Sequence, residues 1–380
     1  MKVLMVVSWY GNRGEKVMSA GVFHYEQAMA LKDHCDTALY FPFDPQLPVK
    51  FSRRIENGLL TYRRRLKRSR LPKLEGVREI LRTMRDLWRI CREYHPDVIH
   101  AHCALPAGRA AVLFGKLFGY PVVVTEHNPL EMMRMESPWA RWQTGFVYRS
   151  SKANICVSKN SAERLRKIFP GMNFRVIFNG IIDPCTLETD GKTYAVPGKI
   201  NSYIVGAFYN QKVKGYQYLL PAVAELKKQG IDMMLHICGG GTYMEEYQEM
   251  ARELGIAENC IFYGQIGREQ IYSLMAQMDF GISSSLYESA GLTVEEAMLM
   301  GKPLVVTRSG GANSLVTEEA AIVVERGSTE ALVDGIKQMI QRLQDFDPAA
   351  IRRYAFQNFD IRQVSKQHVR LYRKIVGKKK

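Results

Sequence analysis

Short apolar runs alternate with helix-length amphipathic segments through both halves of this chain, and that alternation restricts the fold more than any other feature. A strand followed by a helix and then another strand belongs to a parallel sheet, because the helix carries the chain back across the sheet face. In the first half, Lys2 to Ser8, Val98 to Ala101, Pro121 to Thr125, Ala153 to Val157 and Phe174 to Phe178 read as strands. Val22 to Lys32 and the stretch after Pro106 to Phe118 read as helices between them. Residues 183 to 199, with Pro184, Gly191, Pro197 and Gly198, read as a linker. The pattern restarts with a strand at Tyr203 to Gly206, a helix from Gly215 to Lys228 and a strand at Asp232 to Ile237. Gly239-Gly240-Gly241 then reads as a tight strand-to-helix turn. At 380 residues the chain exceeds one ordinary domain, so two helix-covered sheets are expected.

Composition removes several classes. No apolar run is long enough to span a bilayer. Met1 to Val7 is too short for a secretory signal, and Trp9-Tyr10-Gly11 is no small-residue cleavage site. Seven cysteines, an odd number with no C-x-x-C pair, point to a reducing compartment, with neither a disulfide framework nor a zinc site. Asp345-Phe346-Asp347 has the outward form of a metal-binding D-x-D but sits in a charged connection before Pro348, so no metal is expected there.

The chemistry concentrates in the run from Ser285 to Met300. Met278 to Ser284 reads as a buried strand and Thr293 to Met300 as a helix closed by Gly301. Glu288 therefore falls in the loop before a helix and Glu296 about one turn inside it. Between them, Ala290, Gly291 and Leu292 present backbone N–H groups that no helical carbonyl satisfies. Such a helix start favours phosphate, and a glycine lets an anion approach the backbone. Carboxylate, anion site, carboxylate suits a nucleotide diphospho-sugar: one acid for sugar hydroxyls, the other for the ribose diol. An arbitrary pair of glutamates at this spacing is a solvated surface pair; the context separates this one from that default.

The run Glu288-Ser-Ala-Gly-Leu-Thr-Val-Glu-Glu296-Ala-Met, followed by Gly301-Lys-Pro and Ser309-Gly-Gly, resembles the E-x7-E motif of the family 4 retaining glycosyltransferases. Asp97-Val-Ile-His100-Ala-His102, Pro121 to His127 and Val205-Gly206 through Lys214-Gly215 resemble further stations of the same family. The resemblance implies the GT-B fold, an α/β architecture of two Rossmann-like domains with parallel sheets facing across a cleft. Residues 1–184 would form the acceptor-binding domain, 185–357 the nucleotide-sugar domain, and 358–380 a helix crossing back to the first. It also implies a retaining hexosyl transfer from a nucleotide diphospho-sugar to a saccharide or polyprenyl-diphosphate-linked saccharide, as in bacterial surface-polysaccharide assembly, with no metal or other cofactor. His127 and Glu288 would act at the sugar. Gly21, Lys214, Ala290, Gly291, Leu292 and Glu296 would bind the donor. Ala207 stands where the family has arginine, so Lys212 is the candidate second cation. His100 and His102 flank another strand end, one expected to pack and one to face the cleft; Glu126 and Glu295 are expected to be bystanders.

Charge adds a partner. Residues 50–92 hold fifteen Lys and Arg against four acids, and residues 352–380 hold ten against Asp360. Arg78, Arg82, Arg85 and Arg89 recur at helical spacing, beside a broad face of Val77, Ile80, Leu81, Met84, Leu87, Trp88 and Cys91. One reading is a sheet-packed helix with a solvated basic side. The other is an anionic membrane surface strengthened by Arg63-Arg64-Arg65, Lys67-Arg68 and the basic C-terminal segment, which would make a cytoplasmic protein peripheral to the inner face. Two rival functions remain: a sugar-nucleotide epimerase of the same fold, and a non-catalytic nucleic-acid-binding protein, for which no motif is present.

Overall fold

The computed structural model describes residues 1–11, 21–66, 72–208 and 212–377, with the backbone alone for 72–74. Residues 12–20, together with Lys67, Arg68 and Lys378 to Lys380, lie outside them. The chain forms two compact units, residues 1–180 with 361–380, and residues 181–360.

Unit 1 contains β1 (Lys2–Val7), α1 (Val22–Lys32), β2 (Asp36–Asp44), β3 (Phe51–Glu56), β4 (Leu59–Arg65), α2 (Pro72–Tyr94), β5 (Val98–His102), α3 (Arg109–Phe118), β6 (Val122–Glu126), α4 (Pro138–Ser150), β7 (Ala153–Cys156), α5 (Lys159–Ile168) and β8 (Phe174–Val176). Its sheet runs β3-β4-β2-β1-β5-β6-β7-β8. All neighbours are parallel except β3 against β4. Successive residues of β1 enter opposite cores. Leu4 and Val6 pack with Leu87 and Ile90 of α2, whereas Val3, Met5 and Val7 pack with Leu31 of α1 and with Tyr372. Burial on both faces is why these strands read as continuous apolar runs.

The region of β2, β3 and β4 carries no strand in the sequence reading. Its signal was Asn57-Gly58, flanked by Ile55-Glu56 and Leu59-Leu60. Both residues take positive φ, 46° and 83°, as a two-residue hairpin turn demands. Arg63 is drawn inward here, bonded to Asp44 and Glu56 at 2.9 Å each. It is therefore a buried ion-pair residue and no part of a basic surface.

The helix α2 also departs from its expected facing. Leu87 and Cys91 are buried and Ile80 and Met84 half-buried, but Val77, Leu81 and Trp88 are 57%, 61% and 44% exposed. The expected broad core face is thus a narrow one, and its outer apolar residues share the surface with the arginines.

Unit 2 contains β9 (Ile200–Val205), α6 (Tyr216–Lys228), β10 (Met233–Cys238), α7 (Met244–Glu253), β11 (Cys260–Gly264), α8 (Arg268–Gln277), β12 (Phe280–Ser283), α9 (Leu292–Leu299), β13 (Leu304–Thr307), β14 (Ala321–Val324), α10 (Thr329–Gln341) and α11 (Pro348–Phe359). Its six strands, in the order β11-β10-β9-β12-β13-β14, are all parallel. The order reverses direction at β9, so the carboxyl ends of β9 and β12 flank the topological switch point where open sheets bind ligands. The expected linker is packed into this unit: Asp183 is buried and paired with Arg352 at 2.6 Å, and the Tyr194 N–H donates to Gln277. Asp345 pairs with Arg342 and Asp347 caps α11 through the Ala349 N–H, which are structural tasks.

A last helix, α12 (Ile361–Val376), belongs to unit 1. Its Tyr372 hydroxyl lies 2.6 Å from His100 Nδ1, and His368 Nε2 lies 3.2 Å from the Gln27 amide. The unit boundaries fall after Gly180 and after Asp360, where the sequence reading set them after 184 and 357. All seven cysteines are free, and no helix among the described residues is long and apolar enough to cross a membrane.

Five histidines of unit 1 are buried: His24, His100, His102, His127 and His368. Desolvation pushes every one below its ordinary range, His127 to about 3 and His368 to about 4. The folded state therefore refuses protons that the unfolded chain accepts below about pH 6.5. Stability should be full above that pH and fall as pH drops toward the folded values, by up to about 2 kcal/mol per histidine at pH 5. Urea unfolding at pH 7 and pH 5 checks this; equal stabilities at the two pH values would contradict it.

Candidate functional site

In unit 2 the sheet's carboxyl edge assembles the residues that the sequence singles out. Lys214 and Gly215 precede α6, and Gly215 adopts φ +74° with its Cα against the Ser284 carbonyl; a Cβ there would lie 2.0 Å from that oxygen. The Ser284 hydroxyl donates to the Lys214 carbonyl at 2.7 Å, and the Leu286 N–H to the Val213 carbonyl at 2.7 Å. The loop after β9 is thereby fixed to the loop after β12. A second seam joins the β12 loop to the end of β13: the Glu288 N–H donates to Ser309, and the Gly311 N–H to the Glu288 carbonyl.

These seams bring Lys214 and Glu288 together. The ammonium lies 2.6 Å from Glu288 Oε1, which also accepts from the Ser285 hydroxyl at 2.8 Å. Both side chains keep partial exposure, so the pair is screened and contributes little to stability. Next in the chain, the N–H groups of Ala290, Gly291 and Leu292 have no acceptor among the described residues. They open α9 beside the Lys214–Glu288 pair, with Gly291 at the N-cap.

Glu296 lies on α9 and accepts from the Tyr272 hydroxyl at 2.7 Å, with the Arg268 guanidinium at 3.5 Å. Lys212 is placed elsewhere: it pairs with Glu246 and lies over the Tyr243 ring at 5.4 Å. Its pairing with α7 means that, of the two candidate cations, Lys214 is the one beside Glu288. Glu295, beside Glu296 in the chain, takes no part in these contacts. It is fully buried, neither carboxylate oxygen has a partner, and desolvation, with Glu296 beside it, pushes its pKa well above the usual carboxylate range. A charge-bearing letter at that position gave no sign of burial; the register of α9 decides it.

In unit 1, β5 and β6 carry three of the expected residues to their carboxyl ends. His100 is fully bonded, to Thr125 at 2.7 Å and Tyr372 at 2.6 Å, and is a packing residue. His102, one of the pair expected to offer an open face, is also fully buried. Its Nδ1 lies 2.9 Å from His127 Nε2, with the two rings 11° from parallel. His102 Nε2 has no partner. A buried unpaired acceptor costs less than a buried unpaired N–H, so His102 carries its proton on Nδ1 and donates to His127. The His127 proton is then on Nδ1. Gly21, at φ +75°, caps α1 against the backbone of Trp9 and Tyr10. Glu126 is structural: its oxygens accept from the Ala104 and Asn128 N–H groups and the Tyr148 hydroxyl.

His24, His102 and His127 bring one nitrogen each within 4.8 Å of one another. His102 Nδ1 and His127 Nε2 face each other in a hydrogen bond, whereas metal ligands aim at a common point. The trio is accordingly a hydrogen-bonded imidazole pair with His24 packed against it, its ring 4.0 Å from Phe23. Nearby, a cavity of about 400 Å³ opens at the ends of β5 and β6, lined by Leu105, Asn128, Arg134, Trp139, Gln143 and others.

Comparison with known proteins gives a consistent result. A profile described as "Glycosyltransferase Family 4" matches residues 21–183 and one described as "Glycosyl transferases group 1" matches 196–354. The alpha-D-kanosaminyltransferase of Streptomyces kanamyceticus is 24% identical over 69% of this chain and 72% of its own. Among solved structures, sucrose-phosphate synthase from Thermosynechococcus elongatus superposes with a TM-score of 0.80 at 17% identity over 100% of both chains. Anabaena HepE in complex with UDP superposes at 0.74 and 18% identity, covering 98% of this chain and 100% of its own. Two parallel-sheet units of Rossmann type, a switch-point site and these matches together show that the chain belongs to the family 4 glycosyltransferases and has the GT-B fold.

Proposed function

We propose that the protein transfers a hexosyl group, with retention, from a nucleotide diphospho-sugar to a saccharide or lipid-linked saccharide in polysaccharide assembly. The observation that carries this is the Lys214–Glu288 pair standing beside the acceptor-less amides of residues 290–292. A cation and fixed N–H donors aimed at one place stabilise charge that develops on a departing diphosphate, and they do so without reorganising. The UDP named with the HepE structure supports the donor class.

In this reading Lys214 leaves Glu288 for a diphosphate oxygen. Glu288 then accepts from sugar hydroxyls and Glu296 from the ribose diol. His127 offers its Nδ1–H to a sugar oxygen, a donor's role and not a base's. No carboxylate nucleophile is assigned; retention rests on same-face attack, with the leaving phosphate taking the acceptor proton. Unit 1 takes the acceptor at the cavity beside Trp139, where an exposed indole and side-chain amides form a mixed apolar and polar lining suited to a sugar. The arginines and exposed apolar residues of α2 suit an anionic membrane face, each nearby cation contributing around 1 kcal/mol.

The test is a set of UDP-, GDP- and ADP-sugars read by thermal shift and by NMR of the product anomer. One nucleotide class should raise the melting temperature, and the sugar should reach the acceptor with its configuration kept. No shift for any donor would reject the reading, and an epimerised donor formed without acceptor would favour the epimerase. Glu296→Ala should weaken the responsive donor's binding by about tenfold to a hundredfold, the range of a hydrogen bond to a charged group. Lys214→Ala should lower kcat by roughly a hundredfold to a thousandfold; an unchanged kcat would remove it from the leaving-group site. Long-range nitrogen–proton correlation spectra should show His127 protonated at Nδ1 in the wild type and shifted toward the Nε2–H form in His102→Ala. A wild-type Nε2–H signal would reverse the assignment.

A further inference from the structure

Unit 1 holds a second concavity, of about 210 Å³, whose lining residues are all cationic: Lys50, Arg64, Arg65, Arg82 and Arg85. They come from three places, the lead-in to β3, the end of β4 and the middle of α2. Two of them are held in position. Arg64 pairs with Asp86, whose Oδ2 also accepts from the buried Tyr40 hydroxyl at 2.7 Å. Arg65 donates to the Pro48 carbonyl at 3.0 Å. Arg82 is half-buried, and Lys50 and Arg85 are exposed.

Like charges converging on one hollow repel, and a wall that fixes them together is favourable once an anion sits between them. Guanidinium forks held by other bonds match the oxygens of a phosphoryl group and lose little freedom on binding it. The hollow is too small to follow a polynucleotide backbone but admits a terminal phosphate. The same helix exposes Val77, Leu81 and Trp88 beside Arg78, Arg82 and Arg85, and apolar residues among cations on one helix suit a lipid–water boundary.

We propose that this pocket binds the phosphate or diphosphate monoester of a lipid headgroup, so that α2 and the β3–β4 hairpin anchor a phosphorylated lipid at unit 1. The inference deepens the acceptor reading and rests on it only for the lipid being the acceptor's carrier.

The experiment is flotation of the full-length protein with phosphatidylcholine vesicles carrying phosphatidic acid, a phosphate monoester, or phosphatidylglycerol, a diester. Inorganic pyrophosphate is the soluble competitor, and Lys50→Ala/Arg85→Ala is compared with Arg78→Ala/Arg89→Ala. Each double variant removes two exposed charges, the first pair from the pocket and the second from the same helix outside it; neither breaks the Arg64–Asp86 pair. Phosphatidic acid should recruit the wild type best, pyrophosphate should displace it, and the pocket variant should lose about tenfold in partitioning while the control loses several-fold less. Equal losses in the two variants, or equal recruitment by both anionic lipids without competition, would show a diffuse basic surface and overturn the pocket. Pyrophosphate binding without vesicle recruitment would overturn the lipid assignment, and displacement by duplex DNA better than by pyrophosphate would point to nucleic acid instead. The thermal shift with UDP-, GDP- and ADP-sugars, read on the same samples, separates the two proposals: its absence with all three in the wild type counts against the donor reading alone.

Discussion

Backbone contact at the carboxyl edge of the unit 2 sheet is the constraint on which the rest of the site depends. Gly215 lies so close to Ser284 that no side chain fits, and Gly311 meets Ser289 and Ala290 in the same way. These contacts close the loops after β9, β12 and β13 onto one another. Only then do a lysine, a glutamate and three unpaired amides, drawn from residues 214 to 292, share one place. A substituent at Gly215 would push the loops apart at the Ser284 backbone, and one at Gly311 would press directly on the Ser289–Ala290 peptide.

Unit 1 is organised by a different economy. Several of its buried polar groups are matched within the unit: Arg63 with Asp44 and Glu56, Arg64 with Asp86, His100 with Thr125 and Tyr372, Glu126 with two amides and Tyr148. The returning helix α12 takes part, because Tyr372 and His368 close the histidine network that α1, β5 and β6 begin. Against that interior, the exposed Lys50 and Arg85 and the exposed Trp139 stand out as groups facing outward.

Much of this was legible in the sequence because strands buried on both faces announce themselves as apolar runs, and because a glutamate before a helix start and another inside it have forced positions. The helix α1 begins and ends where the sequence pattern indicates, and Glu288 and Glu296 fall before and within α9 as their spacing requires. What was not legible depends on partners distant in the chain. Arg63 turns inward to Asp44 and Glu56, Lys212 pairs with Glu246 of α7, and Glu295 is buried by the way α9 is seated. The exposed side of α2 departs from expectation for a related reason: helical spacing orders residues around the axis but does not say how wide a stripe the sheet will cover. The β3–β4 hairpin, by contrast, had a local signal in Asn57-Gly58.

The most direct measurement is a crystal structure with the responsive nucleoside diphosphate bound. The diphosphate is expected against the amides of residues 290–292, with the Lys214 ammonium drawn from Glu288 to a phosphate oxygen and the ribose hydroxyls on Glu296. Density for the nucleotide away from α9, with the Lys214–Glu288 pair intact, would contradict the account.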